Sequence, residues 1–128
     1  MHILIVDDIE ETAHLFAWGF SLEGHSSVTA INGVEAVELA RQGGFDAIVM
    51  DLRMPGMDGV EATRQIRALP HGQEVPIVII TAAMHEANRL DALEAGADRV
   101  VNTPILPQFV LKHIEDLLKQ ESGTAEAE

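Results

Sequence analysis

A chain of 128 residues with 47% hydrophobic content and a mean hydropathy of +0.12 can bury one sizeable core, and it is too apolar to be a disordered polymer. It has no cysteine, which excludes a disulfide framework, a thiolate metal site and a cysteine nucleophile. The net charge of -13, with only 8 Lys and Arg against 21 Asp and Glu, disfavours direct nucleic-acid binding and favours basic surfaces on protein partners.

Met1 leads straight into an apolar run, so no signal peptide is expected, and no apolar run approaches the roughly 20 residues of a membrane span. A cytoplasmic location, with no membrane contact, is the resulting expectation. The first run, Ile3-Leu4-Ile5-Val6, reads as a strand and ends on Asp7 and Asp8. Glu10 to Leu22 reads as a helix, acidic at its start, with Phe16, Ala17 and Phe20 on one side and a stop at Gly24. Trp18 is expected to pack in the core.

Ser27 to Ile31 is a short strand, and Asn32 with Glu35 is an N-cap pattern opening a helix to Arg41. Phe45 to Met50 is the next strand and meets Asp51. A loop from Leu52 to Gly59 follows, with turn signals at Met54-Pro55-Gly56 and Asp58-Gly59 and with Met54 and Met57 as loop packing. Val60 to Leu69 is helical and ends before Pro70.

Ile77 to Ile80 is a strand running into Thr81, and a helix from Glu86 to Ala95 closes at Gly96. Arg99 to Asn102 is a weaker fifth strand. Pro107 opens a last helix on which Val110, Ile114, Leu117 and Leu118 share a face. Residues 1–120 form the domain, and the acidic stretch 121–128 is expected to be a disordered tail.

Five strands alternating with five helices make an α/β domain, (βα)5. Continuous apolar strands indicate a parallel sheet covered on both faces, a three-layer sandwich. Neighbouring parallel strands would then bring Asp7, Asp8, Asp51 and Thr81 to one edge, where open α/β sheets bind ligands. Such residues could hold a divalent cation and a phosphoryl group. Each alone has an ordinary reading as a solvated strand end, but three carboxylates at one edge repel one another unless something compensates.

In this order, Leu4-Ile5-Val6-Asp7-Asp8, Met50-Asp51-Leu52-Arg53-Met54-Pro55-Gly56-Met57-Asp58-Gly59, Ile79-Ile80-Thr81-Ala82 and Glu94-Ala95-Gly96-Ala97-Asp98 span nearly the whole chain. They resemble the receiver domain of bacterial two-component response regulators. The resemblance implies a flavodoxin-like fold with strand order 2-1-3-4-5. It implies Asp51 as acceptor of a phosphoryl group from a phosphohistidine on a sensor histidine kinase or a histidine phosphotransfer protein. Mg2+ would be held by Asp8, Asp51 and the backbone carbonyl of Arg53, with Asp7 acting through water. Thr81 would hydrogen-bond a phosphoryl oxygen and begin the switch.

Two positions depart from the family. Where receivers carry a Lys before Pro at the end of the fifth strand, this chain has Thr103 before Pro104, and the usual switch aromatic is Val100. The only lysines, Lys112 and Lys119, lie on the last helix, so the phosphorylated site carries about one more uncompensated negative charge than usual. Arg53 could compensate in part. The reading is therefore a phosphorylatable receiver with atypical switching, acting on an unknown downstream protein, and a dimer through the face of helix 4, strand 5 and helix 5 is one expectation. The alternative is a pseudo-receiver, a phosphorylation-independent interaction module.

Beyond slow self-dephosphorylation, no enzyme activity is expected. A haloacid-dehalogenase-type phosphatase would need a second Asp where Arg53 stands, and a flavodoxin would need a phosphate loop in place of Asp7-Asp8-Ile9-Glu10.

Overall fold

The computed structural model describes residues 1–82 and 85–127, with side chains described up to residue 120. The elements run β1 (His2–Val6), α1 (Glu10–Leu22), β2 (Ser26–Ala30), α2 (Gly33–Gln42), β3 (Ala47–Asp51), α3 (Gly59–Arg67), β4 (Ile77–Thr81), α4 (Glu86–Ala95), β5 (Arg99–Asn102) and α5 (Pro107–Ala127). All strand pairs are parallel, in the order β2-β1-β3-β4-β5. This is the flavodoxin-like α/β fold expected from the sequence.

Apart from His2, Asp51 and Thr81 at their ends, the central strands are apolar because helices cover both faces of the sheet. Leu4, Val6, Ile48, Met50, Ile77 and Ile79 face a core shared with α2, α3 and α4. Their alternates Ile3, Ile5, Val49, Val78 and Ile80 face Phe16, Phe20, Val110 and Ile114 of α1 and α5. The period-two alternation of a strand divides each run between two layers.

Capping follows the sequence closely. The Asn32 side chain accepts the Glu35 N–H at 2.8 Å and opens α2, and Glu35 returns to the Ile31 N–H at 3.3 Å. Asp58, read from the sequence as turn chemistry, also caps α3 by accepting the Glu61 N–H at 2.9 Å. Gly96 closes α4 at φ 119°, a left-handed conformation that favours glycine.

Trp18 is a correction: it is 62% exposed, whereas Phe16 and Phe20 are buried. Residues two apart on a helix point to different sides, so the phase that buries Phe16 and Phe20 turns Trp18 outward. At its C-terminal end, α5 continues past residue 120 to Ala127. Ala and Glu are good helix formers, and a helix already begun adds residues more easily than it starts.

At the end of the sheet away from the carboxylates, Arg67 ties the loops together. Its guanidinium donates to the carbonyls of Gly96 (2.9 Å), Gly72 (2.8 Å) and Val75 (2.7 Å) and to Asp98 (3.0 Å). Asp98 in turn accepts the Ile77 N–H at 2.8 Å. The Asp of the Gly96-Ala97-Asp98 motif is therefore a structural residue that fixes the start of β4.

Candidate functional site

The register explains why the carboxylates meet. Val6 lies opposite Met50, and Asp51 lies opposite Ile80. Asp7, Asp51 and Thr81 thus occupy the C-terminal ends of three adjacent strands. Asp7 still follows the line of β1, donating its N–H to the Ala30 carbonyl at 3.0 Å. Carboxylate oxygens of Asp7, Asp8 and Asp51 lie within 4.8 Å of one another.

The three acids differ in surroundings. Asp7 is 3% exposed, and its Oδ1 accepts the Ile9 N–H at 2.8 Å. Burial raises its pKa above the ordinary carboxylate value, the Ile9 hydrogen bond opposes this, and the negative charge of Asp8 adds to it. Asp8 is exposed at the rim. Asp51 is half-buried, and its pKa is pushed up to about 6, first by burial and then by the charge of Asp7, with Asp8 adding less. The backbone N–H groups of Arg53 and Leu52 offset only part of this.

Three carboxylates this close together, with the pKa values of Asp7 and Asp51 both raised, form a site short of positive charge. The donors are all oxygen, and one is at the surface where a hydrated ion can reach it. That set fits a hard divalent cation.

The loop after Asp51 is held from below. Leu52 and Met54 are buried, Met57 packs against the same core, and Gly59 N–H donates to the Leu52 carbonyl at 2.8 Å. A Cβ at Gly59 would stand 2.5 Å from the Asp51 carbonyl oxygen and 3.0 Å from the Leu52 Cα. Only glycine lets the first turn of α3 approach so near the end of β3. The sequence reading missed this role, because the closeness exists only in the folded chain.

Thr81 is 2% exposed at the end of β4, and its carbonyl accepts the Thr103 N–H at 2.9 Å. Thr103 is thereby placed beside the site with an uncharged side chain and a cis peptide bond to Pro104. Val100 is half-buried against the core on the α2, α3 and α4 side. Lys112 lies 3.9 Å from Asp116, farther along α5. The structure brings together Asp7, Asp8, Asp51 and Thr81, with Thr103 joined through the backbone. The Arg53 side chain is exposed, and the Arg53 backbone N–H donates to Asp51 Oδ1 at 3.4 Å.

Comparison with known proteins agrees with this geometry. Residues 3–115 match the model of the response regulator receiver domain. The chain is 37% identical over 123 residues to the transcriptional regulatory protein ResD of Bacillus subtilis, covering 96% of this chain and 50% of that protein. It is 34% identical to SrrA of Staphylococcus aureus, covering 95% of this chain and 49% of that protein. The chain therefore spans about half the length of the curated relatives it matches.

Among solved structures, the receiver domain of the sensor histidine kinase PA1611 from Pseudomonas aeruginosa superposes with a TM-score of 0.83 at 30% identity, covering 91% of this chain and 95% of that one. That structure holds a magnesium ion in its active site cleft. A CheY-like receiver domain from Methanospirillum hungatei gives a TM-score of 0.87 at 26% identity, over 95% of this chain and 97% of that one. With the matched family model covering nearly all of the folded chain, this protein belongs to the response regulator receiver domain family.

Proposed function

We propose that this receiver domain takes a phosphoryl group onto Asp51 from a phosphohistidine donor in two-component signalling. The observation that carries the reading is the group of three carboxylates within 4.8 Å at adjacent strand ends, with buried Thr81 beside them. One Asp51 oxygen attacks phosphorus, the O–P bond forms, and the N–P bond breaks with its electron pair returning to the histidine ring. With a pKa near 6, Asp51 is mainly ionised at pH 7 and available as the nucleophile. The Thr81 hydroxyl hydrogen-bonds a phosphoryl oxygen.

Asp8, Asp51 and the Arg53 carbonyl would hold Mg2+, with Asp7 acting through water. When bound, the ion neutralises charge on the carboxylates and on the phosphoryl oxygens. The domain is a phosphoacceptor with at most slow self-dephosphorylation. Its partners are a sensor kinase or phosphotransfer protein and a downstream protein, in the cytoplasm. Leu15, Trp18 and Leu22, exposed on one stripe of α1, support a protein donor, because α1 begins beside Asp8. Switching is atypical because Thr103 and Val100 replace the charged and aromatic groups on β5.

Intact mass after incubation with acetyl phosphate and Mg2+ tests the reading. One added phosphoryl mass, lost in Asp51→Asn or with chelator, is the expected result. No adduct from acetyl phosphate or from a phosphorylated kinase would instead make the domain a phosphorylation-independent interaction module.

A further inference from the structure

Five of the six arginines are committed to partners. Arg41 pairs with Glu38 at 3.3 Å, Arg64 with Glu61 at 2.5 Å, Arg89 with Glu86 at 3.4 Å and Arg67 with Asp98 at 3.0 Å. Arg99 donates to His113 at 3.0 Å and lies 4.0 Å from Asp116. Arg53 differs: its exposed guanidinium has no hydrogen-bond or ion-pair partner among the described residues. It stands two positions beyond Asp51, at a groove of about 670 Å³ that runs from the β3–α3 loop to Asn88 and Asp91 of α4.

This placement matters because the neighbouring site is short of positive charge. Carboxylate oxygens of Asp7, Asp8 and Asp51 lie within 4.8 Å of one another, and among the described residues none of the three is ion-paired with a Lys or Arg side chain. An incoming phosphoryl group brings more negative charge to the same edge. The other groups at that edge cannot balance it. Thr103 is uncharged and tied to Thr81 through its backbone, and Lys112 is beside Asp116. Arg53 has a long stem and, among the described residues, no guanidinium partner to give up.

We propose that Arg53 is the phosphoryl-binding cation of this site: its guanidinium turns from the groove over the carboxylates and donates two hydrogen bonds to the arriving phosphoryl oxygens. The planar fork of arginine suits that contact, and the group stays protonated throughout. The bonds made and broken are those of the transfer to Asp51, so this inference rests on the proposed phosphoacceptor function. It also gives one residue two roles: the Arg53 backbone carbonyl would hold the metal and its guanidinium the phosphoryl group.

The test is calorimetric titration of beryllofluoride, a stable phosphoryl mimic, into the Mg2+-loaded protein, with circular dichroism confirming the fold of each variant. Arg53→Ala should weaken binding about tenfold to a hundredfold, the loss expected for a charge-assisted hydrogen-bond pair. Arg53→Lys should fall between Arg53→Ala and the parent protein. Thr103→Lys should improve binding more in the Arg53→Ala background than in the parent, because both cations would serve one centre of charge. Equal affinities for the parent and Arg53→Ala would overturn the role of Arg53 and leave the phosphoacceptor reading standing. No beryllofluoride binding by a parent protein that does bind Mg2+ would overturn both.

Discussion

The two halves of the sheet's C-terminal edge are built differently. Asp7 and Asp51 end strands in the middle of the sheet, where β1 and β3 are buried along nearly their whole length. Thr103 follows β5, the outer strand, whose residues are half-buried or exposed. The inner half carries the residues proposed for phosphoryl chemistry, and on the outer half Thr103 and Val100 stand where a receiver is expected to carry a lysine and an aromatic. A carboxylate nucleophile is best placed on a rigid, partly buried position, and a central strand provides one for Asp51. Groups that sense the phosphoryl charge can sit on a more exposed edge, where substitution disturbs the core less.

The largest expected contrast is in stability. Met50→Ala, beneath the acidic half, should cost about 2 to 5 kcal/mol. Val100→Ala, on the outer strand, should cost about 1 kcal/mol. Urea unfolding of both variants measures the difference, and equal losses would remove the distinction between a rigid half and a peripheral one.

A second effect has the opposite sign. The Asp51 pKa is raised from its ordinary 3.8 to about 6, so the folded state holds more protons than the unfolded state between those values. Stability contributed by this group is therefore present below pH 4 and lost as pH rises through 6. Asp51→Asn should be more stable than the parent at pH 7.5 without divalent cation, by about 1 to 3 kcal/mol, with the two converging near pH 3.5. Mg2+ should narrow the gap at pH 7.5 by stabilising only the parent. Denaturation at both pH values, with and without Mg2+, checks the sign.

The smallest effect belongs to the seam between the halves. Thr81→Ala should remove about 1 kcal/mol of phosphoryl stabilisation. The rate of acyl phosphate formation should then fall severalfold, with Thr81→Ser close to the parent. A rate unchanged in Thr81→Ala would take Thr81 out of the chemistry.

Much of the inner half was legible in the sequence. Apolar runs ending on Asp51 and Thr81 announced parallel strands with polar ends, and Asn32 with Glu35 announced the cap of α2. Trp18 was misplaced because a large aromatic was read as core, although its phase relative to Phe16 and Phe20 pointed outward. Gly59 and Arg67 were hidden for another reason. The first is needed where α3 approaches the Asp51 carbonyl, and the second joins Gly72, Val75, Gly96 and Asp98 across distant loops. Neither contact leaves a local pattern. Thr103 and Val100 were visible as departures only against the family's pattern.

The most direct test of the contrast is a map of backbone amide shifts with and without beryllofluoride in the presence of Mg2+. The account predicts large changes at Asp8, from Asp51 to Gly59 and at Thr81, with small ones from Arg99 to Asn102 and along α5. Changes of equal size on β5 and α5 would contradict it, showing that the outer half transmits the signal without its lysine and aromatic.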